Sequence, residues 1–476
     1  MSRTKKYSVL VPFLFFLINV CLRWVGIDIN SLAGDEPFSV YFAQMSIPDI
    51  LRHLAPGNNP PFYELFLHFW EKAFGIGEVA VRIPSLIFTG ITAAFLYKIG
   101  NEFFTKGTGI IAALLFTFSN YATYFSHEAR VYALFGMLTC ISYYLYLRWL
   151  NDRYSLLTML LYVLVSVILL FSHYFGIMVL GVQVLLALIL SFREKKKLRI
   201  YLYSFVAVFA FFTPYLHIVA EQFLKTKSDG TWLQPPQGWP TIEYMLIQWV
   251  NSKLLVKVVV TVLIIGTFAS LRHFKKINRN NLVVLTWFII PFFGMFFLSY
   301  KIPMFHDRYL MHTYIGFVLL LSVASISILR APLLKWIIPI FLVLALAFVS
   351  KRNIDNGRHT KEAIAKVQSI RDSNTRVVMY PKYRIFGYAY YFNRDRFEDF
   401  DSEYAYYNVL EGFKEENFYG INQHSEARID STVNKMIFIM TDGGPERELV
   451  QSFKNDFTQI DSFHFPEIIN VYTFER

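Results

Sequence analysis

The sequence predicts a polytopic α-helical membrane protein of about eleven transmembrane helices, with interfacial helices in its first outward loop and a C-terminal soluble α/β domain. Three observations predict it. Of 476 residues, 55% are hydrophobic and 18% aromatic, and the mean hydropathy is +0.38, too apolar for a soluble chain of this size. Apolar windows long enough to cross a bilayer, about 20 residues each, recur along the chain. After "LVLALAFVS" the composition turns abruptly polar, beginning "KRNIDNGRHTKEAIAKVQSIRD".

The windows centre near residues 17, 89, 116, 139, 163, 183, 209, 263, 290, 320 and 341. The first, "YSVLVPFLFFLINVCLRWVG", has no small-residue cleavage site after it and is expected to stay as a helix. With the basic N-terminus "MSRTKK" in the cytoplasm, the cytoplasmic segments collect about 18 Lys/Arg and about 3 Asp/Glu, against about 11 and about 12 in the outward loops. That asymmetry sets the orientation: a multi-pass protein of the plasma (inner) membrane, N-terminus cytoplasmic, with everything after Ser350 on the periplasmic or extracellular side. It also accounts for the net charge of +11 without a nucleic-acid partner. The two cysteines, Cys21 and Cys140, both fall in apolar windows and offer neither a disulfide framework nor a thiolate metal site.

The chain therefore divides into a membrane domain, residues 1–350, and an outward α/β domain, residues 351–476. In the latter "TKEAIAKVQSIRD" has helical periodicity, "TRVVMY" reads as a strand, and "KMIFIMTDGGPERELVQSFKND" as strand, glycine turn and helix, predicting a partly parallel sheet. The pair Gly443–Gly444 continues into no phosphate-binding pattern. Two outward loops are long, about 28–79 and about 220–253. In the first, "IPDILRHLAP" and "NPPFYELFLHFWEKAFG" suit helices lying in the interface plane. In the second, Trp232 and Trp239 either anchor at the headgroups or stack on a sugar, the anchor being the commoner use of such residues.

Ionisable residues gather at the outward ends of the windows: Asp35 and Glu36; His127, Glu128, Arg130 and Tyr132 in "YFSHEARVY"; His173 and Tyr174 in "FSHYFG"; Lys301, His306, Asp307, Arg308 and Tyr309 in "YKIPMFHDRYL". Such groups at one membrane face mark a site. A carboxylate there can take a proton from an acceptor hydroxyl or amine, while Arg and Lys neutralise charge on a departing phosphate. Each feature also has an ordinary structural reading. Asp35-Glu36-Pro37 suits a helix start, Glu128 after Ser126 does likewise, and Lys301 and Arg308 suit headgroup anchoring.

The ordered series "GDEP", "NNPPFYELFLHFW", "RIPSLIFTG", "YFSHEARVYAL", "SHYFG" and "HDRYL" resembles the GT-C glycosyltransferases, in the branch holding dolichyl-phosphate-mannose protein mannosyltransferases and lipid A aminoarabinose transferases. The resemblance covers roughly residues 8–350. It implies a GT-C fold and an enzyme that moves a sugar, usually with inversion, from a polyprenyl-phosphate donor to a glycolipid, polysaccharide or protein acceptor outside the cytoplasm. It implies Asp35 as catalytic base with Glu36 beside it, Arg308 and Tyr309 on the donor phosphate, and Glu128, Arg130 and Tyr132 as contacts to substrate or supports of the first loop. The charge and position of Lys301 suit the same phosphate, and His127, His173, Tyr174 and His306, gathered at the same face, are expected to contact substrate or support that loop. The chain departs from many relatives in having Asn59 where His precedes the proline pair. No cofactor is required by this chemistry; a divalent ion, with ligands drawn from His53, His127, His173 and His306 plus Asp35 or Glu128, stays open without a recognisable spacing. Two competing readings remain: an oligosaccharide ligase of the same superfamily, and a lipid or solute transporter, which the near absence of charge inside the windows disfavours.

Overall fold

A computed structural model describes residues 3–32, 34–55, 57, 59–271, 278–329, 331–351, 354–398, 411–441, 446–466 and 469–476. The chain is mostly helical, with a mixed sheet near its C-terminus. It falls into two compact units: Met1–Val25, Leu54–Tyr63 and Arg82–Ile354 form one, and Gly26–His53, Glu64–Val81 and Asp355–Arg476 the other. The polar segments of the first long loop thus share a unit with the C-terminal segment.

The helices run, in order, α1 Arg3–Trp24, α2 Glu36–Ala43, α3 Ile47–Leu54, α4 Phe62–Phe74, α5 Glu78–Phe103, α6 Lys106–Thr117, α7 Asn120–Ser126, α8 Tyr132–Leu150, α9 Leu156–Ser172, α10 Gly176–Ser191, α11 Lys195–Phe212, α12 Leu216–Asp229, α13 Trp239–Val250, α14 Lys253–Leu271, α15 Arg279–Leu298, α16 Met311–Ser327 and α17 Ile337–Val349. Each of the eleven window centres falls inside one of them. Among the described residues, Glu78–Phe103, Lys195–Asp229, Lys253–Ser270 and Arg279–Leu298 suffice by length and composition to cross a membrane, and six shorter helices are also apolar. Such a chain is a multi-pass membrane protein.

In the first unit α16 is the central element, buried at every position from Met311 to Ser325. Two glycines permit its close packing. A Cβ on Gly266 of α14 would stand 2.3 Å from the Ala324 carbonyl oxygen, and one on Gly316 would stand 2.9 Å from Trp287 Cγ. Small residues at such crossings let backbones approach where lipid offers no hydrophobic drive between helices. Trp287 stacks on Tyr143 with ring centroids 3.8 Å apart, and its indole N–H donates to the His312 carbonyl at 2.8 Å. The break between α6 and α7 leaves carbonyls without helical partners, which the apolar surroundings make costly. Arg23 supplies one answer, donating to Phe116 O at 2.6 Å; Asn251 supplies another, donating to Phe118 O and accepting from Asn120 N.

The second unit is built on a five-stranded sheet, β1 Arg376–Tyr380, β2 Phe418–Gly420, β3 Lys435–Met440, β4 Thr458–Phe465 and β5 Ile469–Glu475, in the order β2-β1-β3-β5-β4. β1 is parallel to β2 and β3, whereas β5 is antiparallel to β3 and β4. This is the partly parallel sheet expected from the sequence. Its helices are α18 Thr360–Ile370, α19 Ile385–Phe392, α20 Arg394–Glu398 and α21 Glu446–Lys454. Val378, Met436, Phe438, Met440, Phe453 and Phe474 form the buried centre on one face. The pair Gly443–Gly444 lies outside the described residues.

The same unit holds α2, nearly all of α3 and most of α4. Phe38, Tyr41 and Phe42 of α2 pack on Phe386 of α19, at ring separations of 6.2, 4.9 and 6.1 Å. Polar ties reinforce the packing: Asn356 N donates to Asn30 Oδ1 across 326 residues of chain, Lys361 N to Ser31 Oγ, and Tyr390 OH to Ile76 O. The first loop is therefore an integral part of a folded body, with its own apolar core.

Candidate active site

The residues singled out from the sequence divide between the two units. In the first, Arg308 and Tyr309 occupy a single turn of 3-10 helix, Asp307–Tyr309, directly before α16. Asp307 holds the turn. Its carboxylate accepts from Arg308 N at 2.6 Å and lies 2.5 Å from His306 Nδ1, while its carbonyl accepts from Tyr121 OH at 2.6 Å. Burial pushes the Asp307 carboxyl upward, but the bonds from His306 and Arg308 N outweigh it and leave the group below the usual carboxylate range.

With its backbone fixed, Arg308 extends between two aromatic faces. Its guanidinium carbon lies 5.5 Å from the centre of the Trp232 ring and 6.0 Å from that of Tyr132, within reach of cation–π attraction. Trp232 comes from the second long loop, tethered by Thr231 Oγ1 donating to Pro303 O at 3.0 Å, and its ring also meets His306 at 5.3 Å. The indole is therefore a neighbour of the arginine, a placement beyond the headgroup anchoring favoured from sequence. Arg308 stays partly exposed, so an anion can reach it.

Behind the arginine lies a buried aromatic stack. His173 packs on Phe135 at 4.7 Å and meets the edge of Tyr309 at 5.7 Å, with Tyr132 at 6.4 Å. Phe175 N donates to His173 Nδ1 at 3.2 Å, so the neutral ring carries its proton on Nε2. His312, which sequence reasoning missed, stands 5.2 Å from Phe135 and shares its Nδ1 proton with Tyr309 O at 3.0 Å. The available signal was its position three residues after Tyr309, in the first turn of α16. Tyr174 is half-buried.

The "HEAR" residues play mixed parts. His127 and Glu128 are buried: His127 Nε2 lies 2.6 Å from Arg23 O, and the Glu128 carbonyl accepts from Ser85 Oγ at 2.6 Å. These bonds tie the α7–α8 connection to α1 and α5. Arg130 is half-buried. Lys301 is exposed, and among the described residues its ammonium makes no ion pair or hydrogen bond.

In the second unit Asp35 precedes the first residue of α2 and is exposed, whereas Glu36 is 1% exposed. Glu36 Oε2 lies 3.5 Å from Arg358 Nη1, a partner that no local sequence pattern announces. Arg358 O in turn accepts from Ser31 N at 2.9 Å. Gly34, at φ +63°, makes the tight turn beneath this guanidinium, in a conformation that L side chains rarely adopt. Adjacent carboxylates thus receive opposite environments: one exposed, the other buried beside a cation. His53 sits 5.7 Å from the Phe42 ring. Among the described residues no three of His, Cys, Asp and Glu are grouped to hold a metal ion.

Residues 58–218 match the family model described as dolichyl-phosphate-mannose-protein mannosyltransferase. That span holds His127, Glu128, Arg130, Tyr132, His173 and Tyr174, and does not reach Asp35, Glu36 or Arg308. No curated protein matches the chain by sequence. In fold, ArnT from Cupriavidus metallidurans in the apo state is 11% identical with a TM-score of 0.61, over 99% of this chain and 98% of that one. The same protein bound to undecaprenyl phosphate gives 0.61 over 97% of each chain. The archaeal oligosaccharyltransferase AglB from Archaeoglobus fulgidus, in complex with an inhibitory peptide and a dolichol-phosphate, is 12% identical with a TM-score of 0.52, covering 92% of this chain and 70% of that chain. The chain thus resembles the GT-C glycosyltransferases, by the mannosyltransferase family pattern over residues 58–218 and by a fold shared with ArnT over nearly its whole length.

Proposed function

We propose that this protein is an integral-membrane glycosyltransferase that takes a sugar from a polyprenyl-phosphate donor and passes it to an acceptor on the non-cytoplasmic side. About eleven helices would cross the bilayer in the orientation given by the charge asymmetry. Residues 1–350 would form the transferase domain in the membrane, and residues 351–476 a domain outside it. The observation that carries the reading is Arg308, partly exposed, locked at its backbone by Asp307 and flanked by Trp232 and Tyr132.

The reaction requires two kinds of group. The acceptor hydroxyl or amine must lose a proton as it attacks the anomeric carbon, and the bond from that carbon to the phosphate oxygen must break with its electron pair staying on phosphate. Asp35, exposed before α2, is assigned the proton. Arg308 is assigned the growing phosphate charge, which a guanidinium meets with paired donors, and Tyr309 a supporting hydroxyl. Attack opposite the leaving phosphate inverts the anomeric centre. Glu36, buried beside Arg358, is assigned to holding the loop rather than to the proton. The lipids bound in those structures of ArnT and AglB, undecaprenyl phosphate and a dolichol-phosphate, agree with such a donor.

Binding of a polyprenyl-phosphate sugar to the detergent-solubilised protein tests the reading. Arg308→Ala is expected to weaken it by about 10- to 150-fold, the worth of a charge-assisted hydrogen bond of about 1.5–3 kcal/mol. Unchanged affinity would remove Arg308 from the phosphate site and return weight to a transporter.

A further inference from the structure

Within the second unit a cavity of about 460 Å³ opens between the C-terminal end of α2, the last turns of α4 and Arg394. It lies in the range of about 300–1,000 Å³ usual for small-molecule sites. Its buried wall is made by His68 and Glu71, 3% and 6% exposed, and its rim by Gln44, Lys72 and Arg394. Among the described residues neither carboxyl oxygen of Glu71 has a hydrogen-bond partner. A buried acid left so is costly, and native proteins rarely keep one without a use. Burial, reinforced by the carboxyl of Glu64, pushes Glu71 up to about 9. At neutral pH the wall is accordingly an uncharged acid beneath two cations.

His68 adds a second polar group. Its Nδ1 donates to Ala43 O at 2.8 Å, which leaves Nε2 as the ring nitrogen for a ligand hydroxyl. A ligand for this wall must present hydroxyls to Glu71 and His68 and a negative group to Lys72 and Arg394, which is the chemistry of an acidic sugar. We propose that the cavity is a subsite for a sugar bearing a carboxylate or other anionic substituent, with Glu71 bonding its hydroxyls and Lys72 and Arg394 its charge. The choice of a carbohydrate rests on the transferase reading, and it makes this sugar a unit of the acceptor. α2 connects the two places: Asp35 precedes its first residue and Gln44 follows its last, about 13 Å apart at 1.5 Å per helical residue.

The test uses the full chain in detergent, titrated calorimetrically with glucuronate, glucose and glucosamine, and separately with polyprenyl phosphate. Glucuronate is expected to bind best and glucosamine worst. Lys72→Ala and Arg394→Ala, both at exposed positions, are expected to weaken glucuronate about tenfold each while leaving glucose unchanged. Glu71→Leu is expected to lose all three sugars and to raise the melting temperature, since it removes an unsatisfied acid; a merely structural Glu71 would lower it. Glu71→Gln is expected to retain binding. Preference for glucosamine, binding of none of the sugars, or glucuronate affinity indifferent to all these variants would overturn the subsite. Retained polyprenyl-phosphate binding in that case leaves the transferase reading standing, whereas its loss together with intact glucuronate binding sinks that reading alone.

Discussion

The two places that carry chemistry are built in opposite ways. Around Arg308 the side chains come from connections at helix ends, "SHEARVY", "SHYFG" and "HDRYL", and most contacts are aromatic faces around one cation. Around Glu36 the partners come from distant parts of the sequence, with Asn30, Ser31 and Glu36 meeting Asn356, Lys361 and Arg358 through specific polar bonds. The first arrangement holds a cation accessible to an anion. The second buries a carboxylate and leaves its neighbour Asp35 exposed. The difference teaches that adjacent residues of one motif, Asp35 and Glu36, need not share a role: burial and a cation suit the second to holding the loop.

Substitutions sharpen that contrast. The largest structural effect is expected from Arg358→Ala, which strips the cation from a buried carboxylate and should cost about 3 kcal/mol in the second unit. Thermal unfolding in detergent checks it, and an unchanged melting temperature would break the claim that Glu36 is structural. Arg308→Ala, by contrast, should leave the melting temperature nearly unchanged and act on donor affinity. Trp232→Ala removes one face from that arginine and should weaken the donor only severalfold, matching about 0.5–1 kcal/mol for an exposed cation–π contact. Lys301→Ala should change donor affinity least, by less than about 1 kcal/mol, because its exposed ammonium acts only through solvent. An effect as large as that of Arg308→Ala would place Lys301 on the phosphate after all.

Titration separates the regions further. Glu71 keeps its proton up to about pH 9 when folded but loses it near 4.5 when unfolded. Between those values the native state binds the extra proton, so stability should fall as pH rises from about 4.5 to about 9. Glu71→Gln should flatten that part of the pH profile of the second unit's unfolding. A slope identical to wild type would deny Glu71 its buried, protonated state.

Much of the fold was legible because membrane helices announce themselves by composition alone, and all eleven windows fall on helices. The strand "TRVVMY" and the helix "TKEAIAKVQSIRD" appeared as β1 and α18 for the same reason: each carries its period locally. Long-range pairings did not show. Nothing in "GDEP" indicates that Glu36 will meet Arg358, nor in "TWLQPP" that Trp232 will flank Arg308, since both contacts depend on tertiary packing. Glu71 escaped because a helix carrying Glu64, Glu71 and Lys72 reads as amphipathic and interfacial, whereas both acids are buried in the folded unit. His312 escaped because one histidine in an apolar helix has no pattern of its own.

The central claim is transfer of a sugar from polyprenyl phosphate with Asp35 taking the acceptor's proton, and release of free polyprenyl phosphate measures it most directly. Membranes holding wild-type protein or Asp35→Asn would be supplied with a panel of polyprenyl-phosphate sugars and an envelope extract as acceptor. The account predicts release by wild type and a fall of about 10²- to 10⁴-fold in the variant, with donor binding intact. Equal release from both would contradict Asp35 as the base, and no release from any donor would contradict the transferase itself.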